Sequence, residues 1–160
     1  MELKNKLALG VVFFIIASAI FIRINARINP VEHALIINGK VYPTLVARTQ
    51  SELYHGLGDR DNLGHYVGMY FDFYEEGSYG IVMRGMRFPL DVLWLKGETV
   101  VQIEENIPLQ PGVAEEGLKS YINVNPADAV VELGAGKVRE LNIKVGDKII
   151  YCENSQKCPN

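Results

Sequence analysis

Apolar and polar positions along the chain fall into two regimes. From Leu7 to Ile22, sixteen successive residues carry no charge, with Lys4 and Lys6 before them and Arg23 after. Beyond that point the apolar residues come in short clustered or alternating runs cut by Gly, Pro, Asn and Asp. At 1.5 Å rise per residue a helix needs about 20 apolar residues to cross hydrocarbon, with roughly 17 as the lower end. The first run therefore predicts a transmembrane helix over residues 7–24, lengthened by the aliphatic stems of Lys6 and Arg23. Val11 to Ile16 is apolar on every side, unlike a helix at the edge of a small core. Ala17-Ser18-Ala19 also fits a signal-peptidase site. Cleavage there would leave Ile20-Phe21-Ile22 as a greasy mature terminus, so an uncleaved anchor is the first reading and a secreted product the alternative.

The second regime reads as short strands. Ala34 to Ile37 and Val41 to Val46 flank Asn38-Gly39, the signal of a type I′ hairpin. Thr49-Gln50-Ser51-Glu52 is a capping box, opening a helix that Leu53 and Leu57 carry to about residue 57. Met69, Phe71 and Phe73 alternate with polar neighbours, a period of two that predicts a half-buried strand from Gly68. A short strand follows over residues 80–84. Val92 to Leu95 is apolar at successive positions, as in a strand buried on both faces, and Lys96-Gly97-Glu98 turns it back into Thr99 to Glu104. Pro108 to Gly117 is a loop by its Pro and Gly content. Tyr121 to Val124, Ala129 to Leu133 and Lys148 to Cys152 complete the strands, with a second short helix at Ala135 to Leu141. The pattern predicts a small α+β domain with an antiparallel or mixed sheet curled partly into a barrel, plus two short helices. Helices this short cannot supply the crossovers of a doubly wound fold. The expected organisation is a basic N-terminus (1–6), an anchor (7–24), a stalk (25–33), one soluble domain (34–151) and a polar tail (152–160).

Charge then excludes a class of partner. Residues 1–27 hold four of the 16 basic residues and one of the 19 acidic ones, so 12 against 18 remain and the rest of the chain carries a net charge of −6. A nucleic-acid surface needs clustered positive charge, and none is expected here. The two cysteines, Cys152 and Cys158, both lie at or in the tail. They read as a disulfide if the domain faces an oxidising compartment and as free thiols otherwise. The basic flanks of the anchor do not discriminate an orientation, so the cysteines point to an extracytoplasmic domain on a single-pass membrane protein. No metal-ligand spacing joins His33, His55 and His65 to the cysteines, and no cofactor is expected.

A series of motifs then resembles a known family. Ala47-Arg48-Thr49, Glu52-Leu53, Gly56-Leu57 with Arg60, Gly68-Met69, Met83-Arg84, Pro89-Leu90-Asp91, Val100-Val101, Pro126-Ala127, Glu132-Leu133, Ala135-Gly136 and Gly146-Asp147 look like the motif series of domain of unknown function 192, over about residues 41–150. The resemblance implies a small α+β domain, often exported or tethered, with no activity to carry over. Two departures stand out. Gly58 occupies the place of a usual Met, and Ile81-Val82-Met83-Arg84-Gly85-Met86 that of an aromatic-Trp-Met-Lys-Asn-Thr run.

Arg48, Arg60, Arg84, Asp91 and Glu132 are the candidate ligand-binding residues. Guanidinium forks converging from separate motifs would hold a carboxylate or phosphate; the competing reading pairs them structurally with Glu132, an acid in an otherwise apolar strand. Asp91 fits an acid or base in a cleft, or an acceptor of backbone amides at a turn. No serine elbow, phosphate loop or zinc helix is present. The expectation is a tethered module that binds a small ligand or an envelope protein. An enzyme acting on an anionic or carbohydrate envelope substrate is the alternative.

Overall fold

A computed structural model of the chain describes Ser18, residues 32–154 and Cys158. The expected N-terminus, anchor and most of the stalk lie outside the described residues, among which no helix is long and apolar enough to cross a membrane. The chain divides into two units, Met1–Val31 and Glu32–Asn160. All strands among the described residues belong to the second unit.

Local signals build its first elements. Strands β1 (Ala34–Ile37) and β2 (Lys40–Pro43) pair antiparallel around Asn38 and Gly39. Both turn residues have positive φ, 50° and 73°, as a type I′ turn requires. A short strand β3 (Leu45–Ala47) leads into helix α1 (Gln50–His55). Thr49 caps α1, its side chain accepting from the Glu52 amide while the Glu52 carboxylate accepts from the Thr49 amide. The helix stops at His55, two residues short of the sequence expectation, because Gly56 turns out of helical space at φ 50°, ψ −129°. Thr49→Ala is expected to cost about 1 kcal/mol in urea denaturation, the usual worth of such a cap.

The remaining strands are β4 (Gly68–Gly77), β5 (Gly80–Ile81), β6 (Leu90–Lys96), β7 (Thr99–Ile107), β8 (Tyr121–Ile122), β9 (Ala127–Gly134) and β10 (Ile149–Cys152). A second helix, α2 (Lys137–Glu140), follows β9. They form three sheets: a mixed five-stranded one in the order β3-β4-β9-β6-β7, a three-stranded one in the order β10-β1-β2, and the pair β5-β8. Only β3 runs parallel to its neighbour, β4.

The barrel-like curl expected from the sequence is absent. The five-stranded sheet ends on β3 and β7, and closure would need these edges to meet; β3, with three residues, offers few ladder positions to a nine-residue β7. Instead β1, β2 and β10 form a separate layer. The expected strand over residues 80–84 also shrinks to Gly80–Ile81, since the chain turns through Gly85 at φ 61°.

Both faces of the central strands are covered. On one face Leu93, Leu95, Val131 and Leu133 pack with Leu35, Ile37 and Ile149 of the three-stranded sheet and with Val138 of α2. On the other, Phe71, Val92, Trp94 and Val130 pack with Leu57, Ile81 and Met83. Alternation along β9 therefore sends residues 129, 131 and 133 into the first core and 130 and 132 toward the second. Position 132 is a glutamate. A bond between Cys152 and Cys158 closes a loop at the end of β10, with five residues between the cysteines.

Candidate functional site

Among the described residues, Glu132 is the one buried acid on the second core face. Across the sheet it stands opposite Met69 on β4 and Val92 on β6, both buried and apolar. The residue itself is 6% exposed. Among the described residues no hydrogen-bond donor and no cation engages its carboxylate, and burial alone drives its pKa from the ordinary carboxyl range to about 8. At neutral pH the group is a neutral acid able to donate as well as accept.

Its carboxylate does not face solid packing. It lines a cavity of about 350 Å³, walled by Leu53, Tyr54, His55 and Leu57 of the α1 region, Phe71 and Phe73 of β4, and the segment from Ser78 to Met86. Gly56 belongs to the same wall: a Cβ there would lie 3.2 Å from Phe71 Cζ and 3.8 Å from Glu132 Oε2. Glycine at 56 therefore keeps space open beside both the acid and the ring. Phe73 and Tyr79 stack at 3.8 Å between centroids, and Tyr79 Oη donates to the Glu75 carbonyl. Burial raises the Tyr79 phenol above its ordinary value. The lining mixes aromatic and aliphatic side chains with polar ones, among them Tyr54, His55, Ser78, Tyr79, Arg84 and Glu132.

The mouth is organised by charge. Arg84 donates to Glu115 through Nε at 2.8 Å and to the Tyr54 carbonyl through Nη1 at 2.8 Å. Its guanidinium lies 3.9 Å from the centre of the Tyr54 ring, a cation-π contact. Tyr54 Oη donates to the same Glu115 carboxylate. Those bonds, the tyrosine's first and the arginine's second, hold Glu115 below the usual carboxylate range, while the Glu115 bond raises the Tyr54 phenol.

Of the five candidates read from sequence, the fold brings two together: Arg84 and Glu132 line one cavity without pairing. Arg48 lies elsewhere, bonded to Glu153 and to Tyr151 Oη and 3.6 Å from Asp72. The Glu153 bond, foremost, raises its pKa. Arg60 is exposed in the loop after α1. Asp91 is fully buried on β6, where its two oxygens accept from the Asn106 amide at 2.8 Å and the Val138 amide at 2.9 Å. Since Gly136 caps α2 without a side chain, Asp91 supplies that cap from a distant strand.

Sequence reasoning missed the walls. Phe71 and Phe73 read as positions of a half-buried strand, and nothing in their spacing or in that of Tyr79 signals a chamber. The two departures from the family pattern turn out to touch. A Cβ on Gly58 would stand 2.9 Å from the Arg84 carbonyl oxygen, and Val82 and Met86 of the altered run line the cavity.

The domain is layered and mostly β, and its buried Glu132 is among the residues that line the cavity. Residues 33–151 match the family model DUF192, described as "Uncharacterized ACR", and the chain belongs to that family. A crystal structure of a protein of unknown function from Novosphingobium aromaticivorans is 27% identical at a TM-score of 0.63, covering 76% of this chain and 83% of that one. Another, from Sinorhizobium meliloti and described as a proposed transcription regulator, is 26% identical at a TM-score of 0.64, covering 74% of this chain and 91% of that one. No curated protein matches this chain.

Proposed function

We propose that the domain is a membrane-tethered, extracytoplasmic binding module whose cavity takes a small, partly apolar ligand. The observation that carries this reading is Glu132, a buried acid with no partner among the described residues, at the wall of an open chamber. Burying a carboxyl without compensating bonds costs several kcal/mol, on the order of the net stability of a small domain's weaker elements. A guest that satisfies it would recover part of that cost on binding. The tether rests on the apolar run over residues 7–24, and the oxidising side on the Cys152–Cys158 bond. The regulator description of the Sinorhizobium protein draws no support here, because residues 28–160 carry a net charge of −6.

An enzyme acting on an envelope substrate is the second reading. A carboxyl that keeps its proton at neutral pH is suited to general-acid work. Turnover of a bound compound would move the balance to it.

The binding reading is tested by a thermal-shift screen of the full chain in detergent against sugars, amines, peptides and phosphorylated metabolites, repeated on Val82→Trp. The larger ring is expected to fill the cavity, leaving the fold intact and abolishing any ligand-induced stabilisation. Stabilisation that survives in Val82→Trp, or none in the wild type, would count against the pocket. For the tether, protease treatment of intact cells with maleimide labelling of the cysteines should find a shielded disulfide on the outer side. Free thiols on a cytoplasmic domain would refute the exported topology.

A further inference from the structure

Resting on the pocket reading above, we infer that the guest is a small organic ammonium ion, its N–H donors on the Glu132 carboxylate and its apolar body among Phe71, Phe73 and Tyr79. A carboxylate inside a protein calls for a hydrogen-bonded cation. The described residues supply none to Glu132, since Arg84 at the mouth is committed to Glu115 and the Tyr54 carbonyl, and Arg48 to Glu153 and Asp72. A guest cation would take the place of the missing partner.

Three further observations agree on the sign of the charge. The wall is aromatic, and aromatic faces attract cations. One cation already uses that property at the mouth, where Arg84 lies over the Tyr54 ring. The domain's excess of acidic residues also favours cations over anions at long range. A chamber of about 350 Å³ limits the guest to a compact molecule. A quaternary ammonium would stack on the rings, yet it has no N–H to offer the carboxylate; a primary or secondary amine satisfies both.

Binding then carries a proton balance. Below about pH 8 the carboxyl is protonated, so the ammonium ion enters as the Glu132 proton leaves to solvent, forming the pair R–NH3+ with carboxylate and releasing one H+. The other ionisable groups around the chamber are Tyr54 and His55 from α1, and Tyr79 and Arg84 from the segment beyond β4. Both tyrosines are raised above their ordinary range and keep their protons, and Arg84 is paired with Glu115. The sheet neighbours of Glu132, Met69 and Val92, do not titrate.

Calorimetry of the full chain in detergent with benzylamine and its neutral isostere benzyl alcohol, at pH 6 and pH 8 in two buffers of different ionisation heat, tests this directly. Benzylamine is expected to bind at least about tenfold tighter than the alcohol at pH 8. Its affinity should fall roughly 50-fold toward pH 6, as the ionised fraction of a group titrating near 8 falls, with close to ~1 proton released per guest at pH 6. Glu132→Gln should lose both the amine preference and the pH slope while still binding the alcohol. Equal binding of alcohol and amine would overturn the ammonium inference and leave the pocket standing. Persistence of the slope in Glu132→Gln would place it on another group and also overturn the inference. Should the variant not fold, the wild-type slope and proton count decide alone. Silence from both compounds overturns the inference too, whereas the pocket itself is judged by the Val82→Trp screen.

Discussion

Asp91→Ala is expected to destabilise the domain by about 3–5 kcal/mol, enough to unfold a marginal variant at room temperature. The carboxylate is fully buried and accepts from two backbone amides, one on β7 and one in the first turn of α2. Removing it leaves both donors without a partner inside the protein, and each such orphan costs roughly 1–3 kcal/mol beyond the cavity left behind. Asp91→Asn retains one acceptor oxygen and should lose about half as much. Urea denaturation followed by tryptophan fluorescence will report it, since Trp94 sits in the core on the same strand. A variant with wild-type stability would show that the cap on α2 contributes nothing.

Glu132→Gln is expected to act in the opposite direction, and only at higher pH. A folded-state pKa above the unfolded value means that the native state holds the proton more tightly. The wild type is then favoured at acid pH, and its stability declines as pH rises from the ordinary carboxyl range toward about 8. Glutamine has no such dependence. The stability difference, variant minus wild type, should grow by on the order of 3 kcal/mol between pH 5 and pH 8 and level off above. Thermal or urea denaturation across that range measures it. Parallel pH profiles would mean that Glu132 ionises freely and is solvated in the folded protein.

These two acids show how far the sequence could be read. Both were visible as chemistry out of place, Asp91 ahead of an apolar strand and Glu132 within one. Their different fates were not visible, because they depend on partners brought from afar. The amide that Asp91 caps lies 47 residues away, whereas β9 sets Glu132 among Met69, Val92 and Phe71, which offer it nothing. Local chemistry was legible: the Asn38-Gly39 turn, the Thr49 to Glu52 capping box and the doubly buried β6 follow from propensity and hydrogen bonding within a few residues. Sheet closure was not, since it depends on whether the distant edges β3 and β7 meet. The arginines make the same point. Arg48 found Glu153 and Arg84 found Glu115, acids 105 and 31 residues away, the first just beyond β10 and the second opening a 3-10 turn (Glu115–Gly117), leaving the acid in the core without either.

Glu132 ties the fold to the proposed activity. Phe71 and Val130 build the core face on which Glu132 sits, the Gly56 turn ends α1 early enough to leave the chamber open, and the segment through Arg84 forms its mouth. Together those features leave one acid facing a space of molecular size.

The most direct measurement is the titration of the Glu132 side-chain carboxyl by 13C NMR, assigned by difference with Glu132→Gln, in the absence and presence of benzylamine. A midpoint near 8 that drops by at least about one unit on saturation with the amine is the expected result. A midpoint in the ordinary carboxyl range, unchanged by the amine, would contradict both the unpartnered acid and the site built around it.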